Sequence, residues 1–98
     1  MNDKLVDTLV SLNKIFVRLN ENFWNNKITK QLEKLKNNDS RINEIYDNIL
    51  SWYGGMGSFN DLYICKENGY DIEENDEIEI NNEIQFLREQ LYNICSGD

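Results

Sequence analysis

The chain is 98 residues long, room for one domain that buries about 60–65% of the surface its unfolded form exposes and for no second lobe. Hydrophobic residues at 40% and aromatics at 11%, with no proline, suffice for a packed core and leave helices uninterrupted, which excludes disorder except at the ends. The net charge is −8 with no histidine, so Ser-His and Cys-His nucleophile machinery is excluded together with the commonest near-neutral acid and base.

The placement of charge carries more than its total. Residues 1–53 hold eight Lys/Arg against seven Asp/Glu, a balance of +1, whereas residues 54–98 hold two against eleven, a balance of −9. Direct nucleic-acid binding calls for the opposite imbalance, because phosphate neutralisation dominates that affinity. No apolar run approaches the length of a membrane span or the core of a signal peptide, so the chain reads as cytosolic and without membrane partners. Cys65 and Cys95 are thirty residues apart with no CxxC pattern, which fits reduced packing residues rather than a zinc site or a disulfide.

Along the chain, Leu5, Leu9, Leu12, Phe16 and Leu19 form one helical stripe over residues 3–20. An asparagine-rich bend follows, with Asn20 or Asn22 as a new cap and Glu21 near the positive helix end. A second helix over 23–36 presents Trp24, Ile28, Leu32 and Leu35 inward, and carries Lys27, Lys30 and Lys34 on its other side as a solvated basic stripe. Asp39 or Ser40 caps a third helix with Ile42, Ile45, Ile49 and Trp52 inward, ending at Gly54.

The segment from Gly54 to Cys65 breaks the periodicity. Gly54 stands where a left-handed residue closes a helix, Gly55 and Gly57 allow tight backbone, Ser58, Asn60 and Asp61 make local turn hydrogen bonds, and Phe59 is the apolar plug. Leu62 to Cys65 is β-prone and Asn68-Gly69 is a hairpin signal, pairing Cys65 with Ile72 and Lys66 with Asp71. Tyr70 stands beside the tip and is expected to be exposed. The run WYGGMGSFNDLYI, with Trp24, Trp52 and the closing NNEIQFLREQLYNIC, resembles the hallmark of a family of small uncharacterised bacterial proteins. That resemblance spans about the last three-quarters of the chain and implies relatives, a short closing helix and a bacterial or phage setting, without an activity.

From Glu73 to Glu79 five of seven residues are acidic, and a last helix with Ile84, Leu87, Leu91 and Ile94 follows, capped at Asn81 or Asn82 or, in a longer version, at Asn75. Asp71, Glu73, Glu74, Asp76, Glu77 and Glu79 lack the register of a calcium loop, so no metal or cofactor is expected. They also crowd one segment rather than face each other across a cleft, which gives no basis for an enzyme. The fold reads as mainly α over residues 1–98, four helices with a short β-hairpin or extended loop between the third and fourth. Two functions fit. One is an inhibitor- or immunity-type protein docking its acidic face, with Tyr70 at the edge, on a basic protein partner such as a toxin nuclease. The other is an oligomerising or adaptor domain whose surplus apolar surface packs on copies of itself or on another subunit.

Overall fold

The computed structural model describes residues 3–38, 40–55 and 57–97. Four helices account for most of it: α1 (Asp3–Arg18), α2 (Asn22–Asn37), α3 (Ile42–Leu50) and α4 (Glu74–Ser96), with two single 3₁₀ turns, Phe59–Asp61 and Lys66–Asn68, between α3 and α4. α1 is the central element and packs on both α2 and α4, while α3 covers α4.

The four-three spacing of α1 places Leu5, Leu9, Leu12 and Phe16 in the core. Thr8 is buried with them and loses nothing, because its hydroxyl donates to the Lys4 carbonyl and accepts from Gln90 Nε2. α1 ends in a Schellman turn. Asn20 takes the left-handed conformation at φ 58 that glycine usually fills, and the Glu21 N–H returns to the Phe16 carbonyl at 2.8 Å. The cap of α2 is therefore Glu21 itself, whose carboxylate accepts from the Trp24 N–H.

α3 stops earlier than its apolar pattern suggests. Its last residue is Leu50, Ser51 caps it, and Trp52 is buried from the turn that follows. Gly54 consequently does not close the helix: its φ of +157 lies at the extended margin, not in the left-handed helical well. The expected caps of α3 are replaced by Arg41, and Asp39 lies outside the described residues.

The hairpin expected over residues 62–72 does not form, and the described residues contain no strand. A two-residue hairpin of this kind needs positive φ at both central positions, and only Gly69 supplies it, at 95°. Asn68 stays right-handed in a 3₁₀ turn, and its amide donates to the Tyr63 carbonyl. The backbone groups of the segment are satisfied within the loop and from α4 instead: the Cys65 carbonyl accepts from the Asn68 and Tyr70 N–H groups, and both groups of Ile64 go to a side chain of α4. Asn81 accepts from the Ile64 N–H and donates to the Ile64 carbonyl, both at 2.8 Å, so one amide satisfies both backbone groups of one residue as a neighbouring strand would.

That bond explains the start of α4. Asn81 does not cap it. The longer version forms: the helix begins two turns earlier at Glu74, inside the acidic run, with Glu73 rather than Asn75 at the cap position. At 23 residues it is the longest helix rather than a short closing one. Glu74, Asp76 and Glu77 occupy its first turn, where carboxylates offset the positive end of the helix dipole.

Candidate functional site

Phe59 is fully buried and touches a shell of rings: Trp24 at 4.6 Å between centroids, Tyr53 at 5.6 Å, Trp52 at 5.7 Å and Phe16 at 6.1 Å. Edge-to-face packing dominates, the arrangement that ring quadrupoles favour. The glycine segment exists to deliver this ring. The Phe59 N–H donates to the Trp52 carbonyl at 2.8 Å. Asn60 Oδ1 accepts from the Gly54 N–H and the Ser58 hydroxyl, its amide nitrogen donates to the Gly54 carbonyl, and Asp61 accepts from the Gly57 N–H. Gly57 has φ +80, a conformation L side chains rarely adopt. Gly55 is exposed beside it. The polar groups of the motif are thus turned inward on the loop itself.

Arg88 of α4 adds a second clamp that sequence reasoning missed. One guanidinium nitrogen donates to the Phe59 and Leu62 carbonyls at 2.7 and 3.0 Å, and the Tyr53 hydroxyl donates to the Arg88 carbonyl. Burial lowers the Arg88 pKa and raises that of Tyr53. Both cysteines are free and buried, and burial pushes the Cys95 thiol up to about 12, an unreactive state.

Tyr70 is not the exposed residue its position suggests. It is half-buried against the core, and its hydroxyl donates to Glu21 Oε1, the other oxygen of the α2 cap. Burial, then the bond to Glu21, raises its pKa above the ordinary tyrosine value. The neutral phenol is therefore favoured by folding, and stability is expected to be intact below about pH 10 and to decline as pH rises beyond it. Tyr70→Phe should cost about 1–2 kcal/mol in chemical denaturation and flatten part of that alkaline decline. A cost near zero with an unchanged alkaline limb would show that the bond contributes nothing.

The acidic segment divides. Asp71, Glu73, Asp76 and Glu79 line one groove between the end of α1 and the start of α4, about 600 Å³ in volume. Glu83 joins them; Asp76, Glu79 and Glu83 follow i, i+3, i+7 spacing and so share a helix face. Glu74 and Glu77 do not line it. Glu74 is exposed elsewhere, and Glu77 is half-buried with its carbonyl accepting from Asn81. Arg18 is the groove's one cation among the described residues, and Leu19, Ile72 and Ile80 form its floor. No group of three His, Cys, Asp or Glu among the described residues is arranged to hold a metal ion, and no helix among them is long and apolar enough to cross a membrane.

Together these features define a small helical domain whose glycine loop places Phe59 in the core and whose candidate site is an acidic surface groove. Residues 18–73 match the model of a domain of unknown function, DUF6966; this is more than half of the chain, and the chain belongs to that family. The matched span includes Trp24, Trp52 and the whole glycine segment and stops where α4 begins, so the closing segment lies outside it. No curated protein and no solved structure matches the chain.

Proposed function

We propose that the domain is an inhibitor- or immunity-type protein of a bacterial or phage cytoplasm that docks its acidic groove on a basic protein partner, such as a toxin nuclease or a nucleic-acid-handling defence complex. The observation that carries this reading is the convergence of Asp71, Glu73, Asp76, Glu79 and Glu83 on one groove with a single cation, Arg18, among its lining residues. The competing account is that the carboxylates serve the N-terminus of α4. Helix-dipole stabilisation fades within the first turn, and that turn holds Glu74, Asp76 and Glu77. Asp71 precedes the helix, and Glu79 and Glu83 come in later turns, so their mutual repulsion has no such offset. A positive surface docking there would stand where a phosphate backbone otherwise binds the partner, with electrostatic steering speeding the encounter.

The two roles separate by mutation. Asp71→Asn with Glu79→Gln and Glu83→Gln should leave the melting temperature level or slightly raised. The same triple change should slow association with the partner captured on the immobilised wild-type domain and remove most of its salt dependence. Amides at Glu74, Asp76 and Glu77 should instead lower stability by about 0.3–1 kcal/mol each. An unchanged low-salt association rate in the first variant would end the acidic-docking reading.

One observation favours a second reading, self-association. Ile78, Phe86 and Tyr92 project from the outer side of α4 at 71%, 65% and 43% exposure. Apolar self-association of that kind would persist at high salt, which light scattering on the lone protein distinguishes from charge pairing.

A further inference from the structure

A second groove, opposite in charge, runs between the middle of α2 and the end of α3 and has a volume of about 370 Å³. Lys27, Lys30 and Lys34 line it, and at i, i+3 and i+7 they form a row about 10 Å long on one helix face. Lys27 stands at one end of the row, its ammonium 5.2 Å from the Phe23 ring centre and 5.9 Å from that of Trp24, two rings that do not line the groove. Asn48, Ser51 and the buried Trp52 complete the other side, and no carboxylate lines the groove among the described residues. Gln31 also lines it and is 4% exposed. Its Oε1 is the one buried side-chain polar atom among the described residues with no hydrogen-bond partner. Such an atom costs about 1–3 kcal/mol of desolvation, and native structures seldom leave one unsatisfied without a reason.

We propose that this groove binds a small phosphorylated ligand that also carries an N–H or O–H donor, a mononucleotide being the class that fits. Lysine ammoniums are compact point charges that suit phosphate oxygens. Three of them in a row answer more than one negative charge. Gln31 lines the groove and its Oε1 is an acceptor that no donor of the chain satisfies; once that shielded side chain turns towards the groove, a base amino group or a ribose hydroxyl supplies the donor. Trp52 offers an apolar wall, and the volume falls in the range of small-molecule sites. The chain's net charge of −8 opposes a long polyanion, whose binding depends on many phosphate contacts; the ligand is therefore small.

The test is an NMR titration of the isotope-labelled full chain with adenosine monophosphate, inorganic phosphate, adenosine and a short single-stranded oligonucleotide. Shifts are followed at the Gln31 side-chain amide and the Asn48 and Ser51 backbone N–H groups. Adenosine monophosphate is expected to move these signals at about millimolar concentration and to bind roughly tenfold more tightly than phosphate or adenosine alone. The surface variant Lys30→Gln with Lys34→Gln should lower its affinity about tenfold. Gln31→Met should weaken adenosine monophosphate several-fold while leaving phosphate binding unchanged; if that variant does not fold, the lysine variant decides alone. Any of four results overturns the proposal: no groove shifts with adenosine monophosphate, equal affinity for it and for phosphate, indifference to the lysine variant, or tighter binding of the oligonucleotide per phosphate.

Discussion

Phe59→Ala is expected to cost about 3–5 kcal/mol, the range for deleting a buried aromatic ring and leaving its cavity. The ring is fully buried and contacts Phe16, Trp24, Trp52 and Tyr53, so the cavity would be walled by four rigid aromatics that cannot collapse into it. A domain of this size holds only about 5–15 kcal/mol in total, and the melting temperature should fall by roughly 12 °C or more. Much of the purified variant should be unfolded at physiological temperature if the total lies near the lower end. Phe59→Leu keeps most of the volume but loses ring-edge contacts, and should fall in between. Phe86→Ala is the control: the same residue type at 65% exposure should change stability by about 0.5 kcal/mol or less. A Phe59→Ala protein that melts within a few degrees of wild type would show that the glycine segment does not anchor the core.

Helix existence and the faces of α1 and α2 were legible because four-three spacing reports burial directly: Leu5, Leu9, Leu12, Phe16, Trp24 and Ile28 all lie in the core. The burial of Phe59 follows from an isolated aromatic among turn formers. What pattern could not show was where backbone groups outside helices find their partners. Asn68-Gly69 carries the local chemistry of a hairpin, and in a chain with a partner strand it would make one. Here Asn60 takes both backbone groups of Gly54 and Asn81 takes both of Ile64. Those pairings bridge six and seventeen residues; the first is local turn bonding of the kind Asn60 promises, and nothing in local propensity announces the second. The same gap left the start of α4 open between two versions: asparagine is a preferred cap, so Asn81 reads as a beginning as readily as Asn75 inside the acidic run, while the Asn81 side chain is committed to a distant loop. Once the helix extends back to Glu74, the row of Asp76, Glu79 and Glu83 follows from spacing alone, and the acidic site could have been drawn correctly.

Asn81 therefore bears the second large effect. Asn81→Ala strips both partners from the Ile64 backbone beneath a packed loop and should cost about 2–4 kcal/mol, one desolvation penalty for the N–H and one for the carbonyl. Asn81→Asp is more informative. One carboxylate oxygen can still accept from the Ile64 N–H, but the other replaces an amide nitrogen 2.8 Å from both the Ile64 and Glu77 carbonyls, where an ionised oxygen is repelled and a protonated one can donate. The folded state thus favours the neutral acid and raises its pKa above the unfolded value of about 3.9. A group raised in this way binds more protons folded than unfolded. Its stabilisation is present below about pH 4 and is lost as pH climbs through the folded pKa. Denaturant titrations of both variants and wild type at several pH values read the difference. Relative to wild type, Asn81→Ala should stay level across the acid range, while Asn81→Asp should approach or exceed it near pH 4 and fall below it at pH 7. If Asn81→Asp instead tracks Asn81→Ala at every pH, the Asn81 amide is not the donor that holds the Ile64 carbonyl, and the loop is fastened to α4 chiefly through Arg88.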